Sequence, residues 1–179
     1  NIPFVPGYPS INRVEGDAAT HLGLLSVSAG ILFGGGAQFY ASTTYGTKNA
    51  NSYENYRLPT KVRYTDPTTG LTTYPFPFGF TPRESTEEHD YAVTAGLKDT
   101  MAQWKWDLST TYGADRIRLY TLDSANAGLF ALTGIPTPSN YYDGFLEAQQ
   151  WTTTLDVNRD FDVGLSSPLN VAYGGEYRH

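Results

Sequence analysis

Cysteine is absent from the 179 residues, which excludes disulfides, thiolate metal sites and cysteine nucleophiles within the chain. Charge is scarce as well: 17% of residues are charged, against about a quarter in an ordinary soluble domain. The balance is acidic, 18 carboxylates to 12 basic groups, with no basic run that would track a phosphate backbone, so nucleic acid is not an expected partner. No apolar stretch reaches the roughly 18 residues a spanning helix needs, and the greasiest segment, residues 22–33, is broken by serines and glycines. The opening Asn1-Ile2-Pro3-Phe4-Val5-Pro6 reads as extended backbone without the basic, apolar and small-residue regions of a signal peptide. Any export signal is expected outside this sequence. Helical periodicity is missing too, because 18 glycines and 11 prolines punctuate the chain and no window keeps a 3.6-residue apolar period over three turns.

Catalytic patterns are equally thin. His21, His89 and His179 are scattered without metal-ligand spacing, and Gly34-Gly35-Gly36 is followed by no Lys-Ser/Thr, so it reads as a turn and not as a phosphate cradle. No serine sits in a G-x-S-x-G elbow. The acidic run Glu84, Glu87, Glu88 and Asp90 reads as a solvated charge run at the end of a loop. Neither an enzyme nor a cofactor is expected.

Aromatic residues, by contrast, are plentiful: 14 Tyr, nine Phe and three Trp. The period that recurs is two. Gly23, Leu25, Val27, Ala29, Ile31 and Phe33 are apolar or small at every second position, with Ser26, Ser28 and Gly30 between them, and after the glycine turn Ala37, Phe39, Ala41, Thr43 and Tyr45 continue the pattern, which predicts a hairpin. A second hairpin joins the run Tyr91, Val93, Ala95 and Leu97, through Asp99-Thr100-Met101, to Trp104, Trp106, Leu108, Thr110 and Tyr112. The third pairs Trp151, Thr153, Leu155 and Val157 with Leu169, Val171, Tyr173 and Tyr177. Long connections rich in Pro, Gly, Asn, Thr and Tyr are expected over residues 46–89 and 113–150.

Short turns at one end and long loops at the other, joined by segments of about ten alternating residues, suit an outer-membrane barrel. A soluble antiparallel sandwich alternates as well. Two details separate them. If the short turns are periplasmic, Tyr45, Tyr91, Tyr112, Trp151 and Tyr177 form one aromatic girdle and Phe33, Phe39, Trp104 and Trp106 another, as ring preference for the headgroup level requires. The opposite face holds Lys98, Lys105, Asp107, Asp156, Asn158, Glu176 and Arg178, which are too polar for a dry core. The fold expected is all-β, an antiparallel transmembrane β-barrel segment of about six strands in three hairpins, part of a larger barrel.

Ser52-Tyr53-Glu54-Asn55-Tyr56-Arg57-Leu58-Pro59, Trp106-Asp107-Leu108-Ser109-Thr110-Thr111-Tyr112-Gly113, Phe161-Asp162-Val163-Gly164 and Pro168-Leu169-Asn170-Val171-Ala172-Tyr173-Gly174-Gly175-Glu176-Tyr177-Arg178 resemble consecutive barrel segments of TonB-dependent receptors. The likeness runs over residues 15–178, and its last segment is the most specific. The resemblance implies a 22-stranded barrel in a Gram-negative bacterial outer membrane, an N-terminal plug, a TonB box, the TonB energy-coupling complex as partner, and import of a scarce bulky solute such as an iron chelate, carbohydrate or vitamin. Neither plug nor TonB box is visible here, and six strands cannot enclose a plugged lumen, which takes about 22. Residues 1–179 are therefore expected to be a partial barrel, a fragment of a longer protein embedded in outer-membrane lipid.

On that reading, solute would meet the loops first. The candidates are Tyr53, Tyr56, Tyr74, Phe76, Phe78, Tyr120, Tyr141 and Tyr142, with Arg57, Arg116 and Arg118 available to an anionic chelate. The structural alternative is that the Tyr74–Phe80 rings fold back and pin their loop, and that Arg116, Arg118 and Tyr120, alternating with Ile117 and Leu119, stabilise a projecting strand. Two other functions stay open: an extracellular sandwich that grips a glycan, and a structural barrel piece within an envelope assembly.

Overall fold

A computed structural model describes residues 16–179; the Asn1–Pro6 segment lies outside them. In chain order the elements are β1 (Ala19–Leu32), β2 (Gln38–Tyr53), a single 3-10 turn (Pro59–Lys61), β3 (Tyr64–Thr65), β4 (Thr72–Thr73), β5 (Arg83–Met101), β6 (Trp104–Leu122), α1 (Ala127–Thr133), β7 (Tyr141–Phe161) and β8 (Leu169–Arg178). Six of the strands form one sheet in the order β1-β2-β5-β6-β7-β8, and β3 pairs with β4 separately. The six-stranded sheet is open, with β1 and β8 at its edges. The three expected hairpins are all present, and the register of the last, with Val157 opposite Tyr173 and Thr153 opposite Tyr177, keeps apolar partners on one face.

Three sequence expectations need correction. The connections are shorter than residues 46–89 and 113–150, because β2 runs on to Tyr53, β5 begins at Arg83, β6 continues to Leu122 and β7 begins at Tyr141. The start of β5 is polar at consecutive positions, Arg83-Glu84-Ser85-Thr86-Glu87-Glu88-His89-Asp90, so it carries no apolar period, and backbone pairing needs none; the end of β6 is the projecting strand in which Arg116, Arg118 and Tyr120 alternate with Ile117 and Leu119. The acidic run accordingly belongs to β5 and not to a loop. The second hairpin turns at Ala102-Gln103, beyond Asp99-Thr100-Met101, with φ of 51° and 69°, the two positive values of a type I′ turn.

The described residues divide into two units. One comprises 23–47, 88–116 and 147–179, and is sheet throughout. Its apolar face is bare: Val93 is 49% exposed, Leu108 46% and Tyr173 60%, and Leu97, Leu155 and Val171 are exposed with them. The other unit takes residues 16–22, 48–87 and 117–146 and holds the small packed centre. There α1, absent from the sequence expectation because it spans only two turns, is capped by Asn126, which accepts from the Leu129 N–H, and closed by left-handed Gly134. It packs on β3. Val62 (2% exposed) and Phe130 (3%) are buried in this unit, as is Pro82.

Candidate functional site

Two surfaces carry chemistry, one in each unit. In the all-sheet unit, alternation sends two chemistries to opposite faces. On the apolar face Tyr91, Tyr112 and Trp151 make a row across β5, β6 and β7, with ring centroids 6.1 and 6.0 Å apart. Two polar tips in the row are held: Tyr112 Oη donates to Gln149 (2.8 Å) and Trp151 Nε1 to Thr110 Oγ1 (2.7 Å). Tyr45 reaches His89 Nδ1 at 3.0 Å, and Tyr177 is exposed. Toward the short turns Trp104 meets Phe161 (5.9 Å) and Tyr173 (5.8 Å) edge-on, while Phe33 and Phe39 are exposed. Trp106 shares the Trp104 face by alternation.

The opposite face is a polar lattice. Tyr40 Oη donates to Asp107 Oδ1 (2.7 Å) with Lys98 Nζ over its ring at 5.5 Å, Thr94 bonds Thr111 (2.8 Å), and Asp160 accepts from Lys105 (3.2 Å) and Asn170 (2.6 Å). Tyr40 lies flat because residue 96 is glycine; a Cβ there would come within 2.3 Å of the ring. An open groove of about 350 Å³ beside Lys98, Asp107, Asp156 and Asn158 is mixed in charge.

The loop candidates cluster in the second unit. Arg118 stands 3.8 Å from Glu87, which also accepts from Tyr120 Oη (3.2 Å), and Tyr120 packs on Tyr142 at 5.3 Å. Tyr142 remains 56% exposed. Its neighbour Tyr141 serves the loop instead, donating its hydroxyl to the Pro138 carbonyl. Arg57 is tied to Glu54 and exchanges backbone hydrogen bonds with Phe80, Tyr56 Oη donates to the Phe78 carbonyl, and Phe76 packs on Phe80 at 4.5 Å. Gly79, at φ 75°, lies where a Cβ would meet the Arg57 carbonyl at 2.4 Å. The Tyr74–Phe80 rings therefore fold back in part, with Tyr74 and Phe78 keeping exposed surface. Tyr53, also exposed, has Arg83 over its ring at 5.9 Å. In the all-sheet unit Arg116 faces Glu147 at 3.7 Å. All three candidate arginines thus have a carboxylate beside them, and an anionic solute would compete with it.

Sequence reading missed Glu87, Glu54, Arg83 and Asp123, which bonds Arg83 at 2.7 Å. Opposite charges on paired strands are a usable signal only once the register is known. Among the described residues no cluster of three or more His, Cys, Asp or Glu could hold a metal ion, and no helix is long and apolar enough to cross a membrane, which says nothing about strands. No family model, curated protein or solved structure matches the chain.

Proposed function

We propose that this chain is part of the wall and outer loops of a TonB-dependent receptor in a Gram-negative outer membrane, importing a scarce bulky solute. The carrying observation is the inverted sheet: the apolar face is exposed and the polar face is cross-linked by hydrogen bonds. Side chains as large as Leu108 and Tyr173 stand 46% and 60% exposed on that face. Contiguous apolar surface of this kind calls for a cover, and lipid suits it because aromatic rows bound the face at both ends. From Trp104 to Tyr112 is eight steps along β6, about 26 Å at strand rise and about 20 Å after barrel tilt, close to the apolar height of outer-membrane barrels. A soluble sandwich would bury this face under a second sheet, whereas its side chains stand exposed.

The solute-facing part of the reading rests on Tyr142, Tyr53, Tyr74 and Phe78, which keep exposed ring surface. The test is fractionation of the source cells. The protein should sediment with outer membranes, require detergent for extraction, and migrate differently on gels when unheated, with an intact mass several times 19.7 kDa. Recovery as a soluble species of 19.7 kDa without detergent would overturn it.

A further inference from the structure

We infer that Arg159, framed by Trp104 and Phe161, binds the phosphate of a membrane lipid at the short-turn end of the apolar face. Its charge is out of place there. Arg159 projects from β7 onto the apolar face, its guanidinium 4.8 Å from the Phe161 ring centroid and 5.6 Å from that of Trp104. One Nη donates to Gln103 (2.9 Å), Nε–H is sealed from solvent without an acceptor, and no carboxylate among the described residues forms an ion pair with the group. The acidic neighbours are engaged elsewhere: Asp160 bonds Lys105 and Asn170, and Asp162 accepts from the Gly164 N–H within the turn.

A half-buried cation without a countercharge on an apolar surface is unfavourable in isolation. A phosphodiester at the open side of the guanidinium would supply that countercharge without needing the sealed Nε–H. The rings do the remaining work. Stacking holds the guanidinium in place, and Trp and Tyr seat at headgroup level, which is where a lipid phosphate lies. The inference rests on the membrane reading of the sheet and adds a ligand chemistry to it.

The intact protein, purified in mild detergent, would be mixed with phosphatidylethanolamine and phosphatidylglycerol, or with an uncharged galactosyl diacylglycerol, and retained lipid counted by native mass spectrometry. Insertion would be checked separately by quenching of tryptophan fluorescence in vesicles of lipids brominated on their acyl chains. The expected result is retention of phospholipid but not galactolipid, lowered roughly tenfold by Arg159→Gln, as for a lost charge-assisted hydrogen bond. Arg159→Lys should recover part of it, and millimolar inorganic phosphate should not compete. Quenching with unchanged phospholipid retention in Arg159→Gln overturns this inference alone. Absence of quenching overturns the membrane reading and the inference with it.

Discussion

Adjacent residues on one strand have opposite environments, so single substitutions separate the two faces. Leu108 lies bare on the apolar face and Ser109 behind it. Leu108→Arg should destabilise the lipid-folded protein by about 2–4 kcal/mol, and Ser109→Arg by about 1 kcal/mol or less. Reversible folding of the full-length protein into vesicles measures both, and equal costs would contradict the assigned faces. Away from the sheet, Asp66 shows a pH dependence of known sign. Its carboxylate accepts from the Thr68 and Thr69 N–H groups (2.7 and 3.1 Å), and these bonds hold its pKa below the usual carboxylate value. Stabilisation of the β3–β4 turn is therefore full above the unfolded pKa of about 4 and fades as pH falls through the lower folded one. Amide exchange at Thr68 and Thr69 should accelerate, after correction for intrinsic rates, only in that acid range; the same protection through pH 3 and below would remove Asp66 as the cause.

At the scale of elements, the clearest weakness is the Ala102-Gln103 turn, where two residues with Cβ atoms occupy positive φ. The left-handed conformation costs roughly 1–2 kcal/mol per such residue, whereas Asn-Gly adopts it readily. Replacing the pair with Asn-Gly should raise folding stability by about 1 kcal/mol or more, read as a higher denaturant midpoint with unchanged slope; a lower midpoint would mean that the native side chains make compensating contacts. The next prediction uses the neighbours at the start of β7. Tyr141 braces the 134–140 connection through Pro138, while Tyr142 presents an exposed ring beside Tyr120. On the proposed function, Tyr142→Ala should weaken solute binding at the cell surface without lowering the protein's abundance, and Tyr141→Ala should lower protease resistance of the loop first. Unchanged affinity in the Tyr142 variant would withdraw it from the contact surface. The three hairpins were legible as elements because apolar and polar residues alternate across each; the start of β5 was not, because Glu84 to Asp90 carry polar side chains on both faces, whereas the end of β6 was legible as a projecting strand through the alternation of Arg116, Arg118 and Tyr120 with Ile117 and Leu119. Likewise α1 offers too few turns to show a period.

For the whole molecule the edges carry the argument. Every residue of β1 and of β8 is exposed, and β1 contains neither proline nor a Lys, Arg, Asp or Glu side chain to blunt its outer side. Long apolar edges left open are aggregation sites. On the proposed reading further strands pair with both. If that reading holds, the 179 residues expressed alone should aggregate or misfold in detergent, while a longer protein that contains them should give a monodisperse, protease-resistant barrel. Monodisperse behaviour of the isolated piece, with β1 and β8 amides protected from exchange, would instead favour a sheet that closes through copies of itself.

The sequence alone determined which residues share a face, since alternation on a strand is a local property of the backbone. From that followed the two aromatic rows and the polar opposite side. It could not determine that the apolar face stays bare, because burial depends on what the rest of the chain places over it. Nor could it pair Arg118 with Glu87 or leave Arg159 without a carboxylate: those depend on strand register and on neighbours far along the chain. The tertiary structure decided these points because strand order and register choose which distant side chains meet.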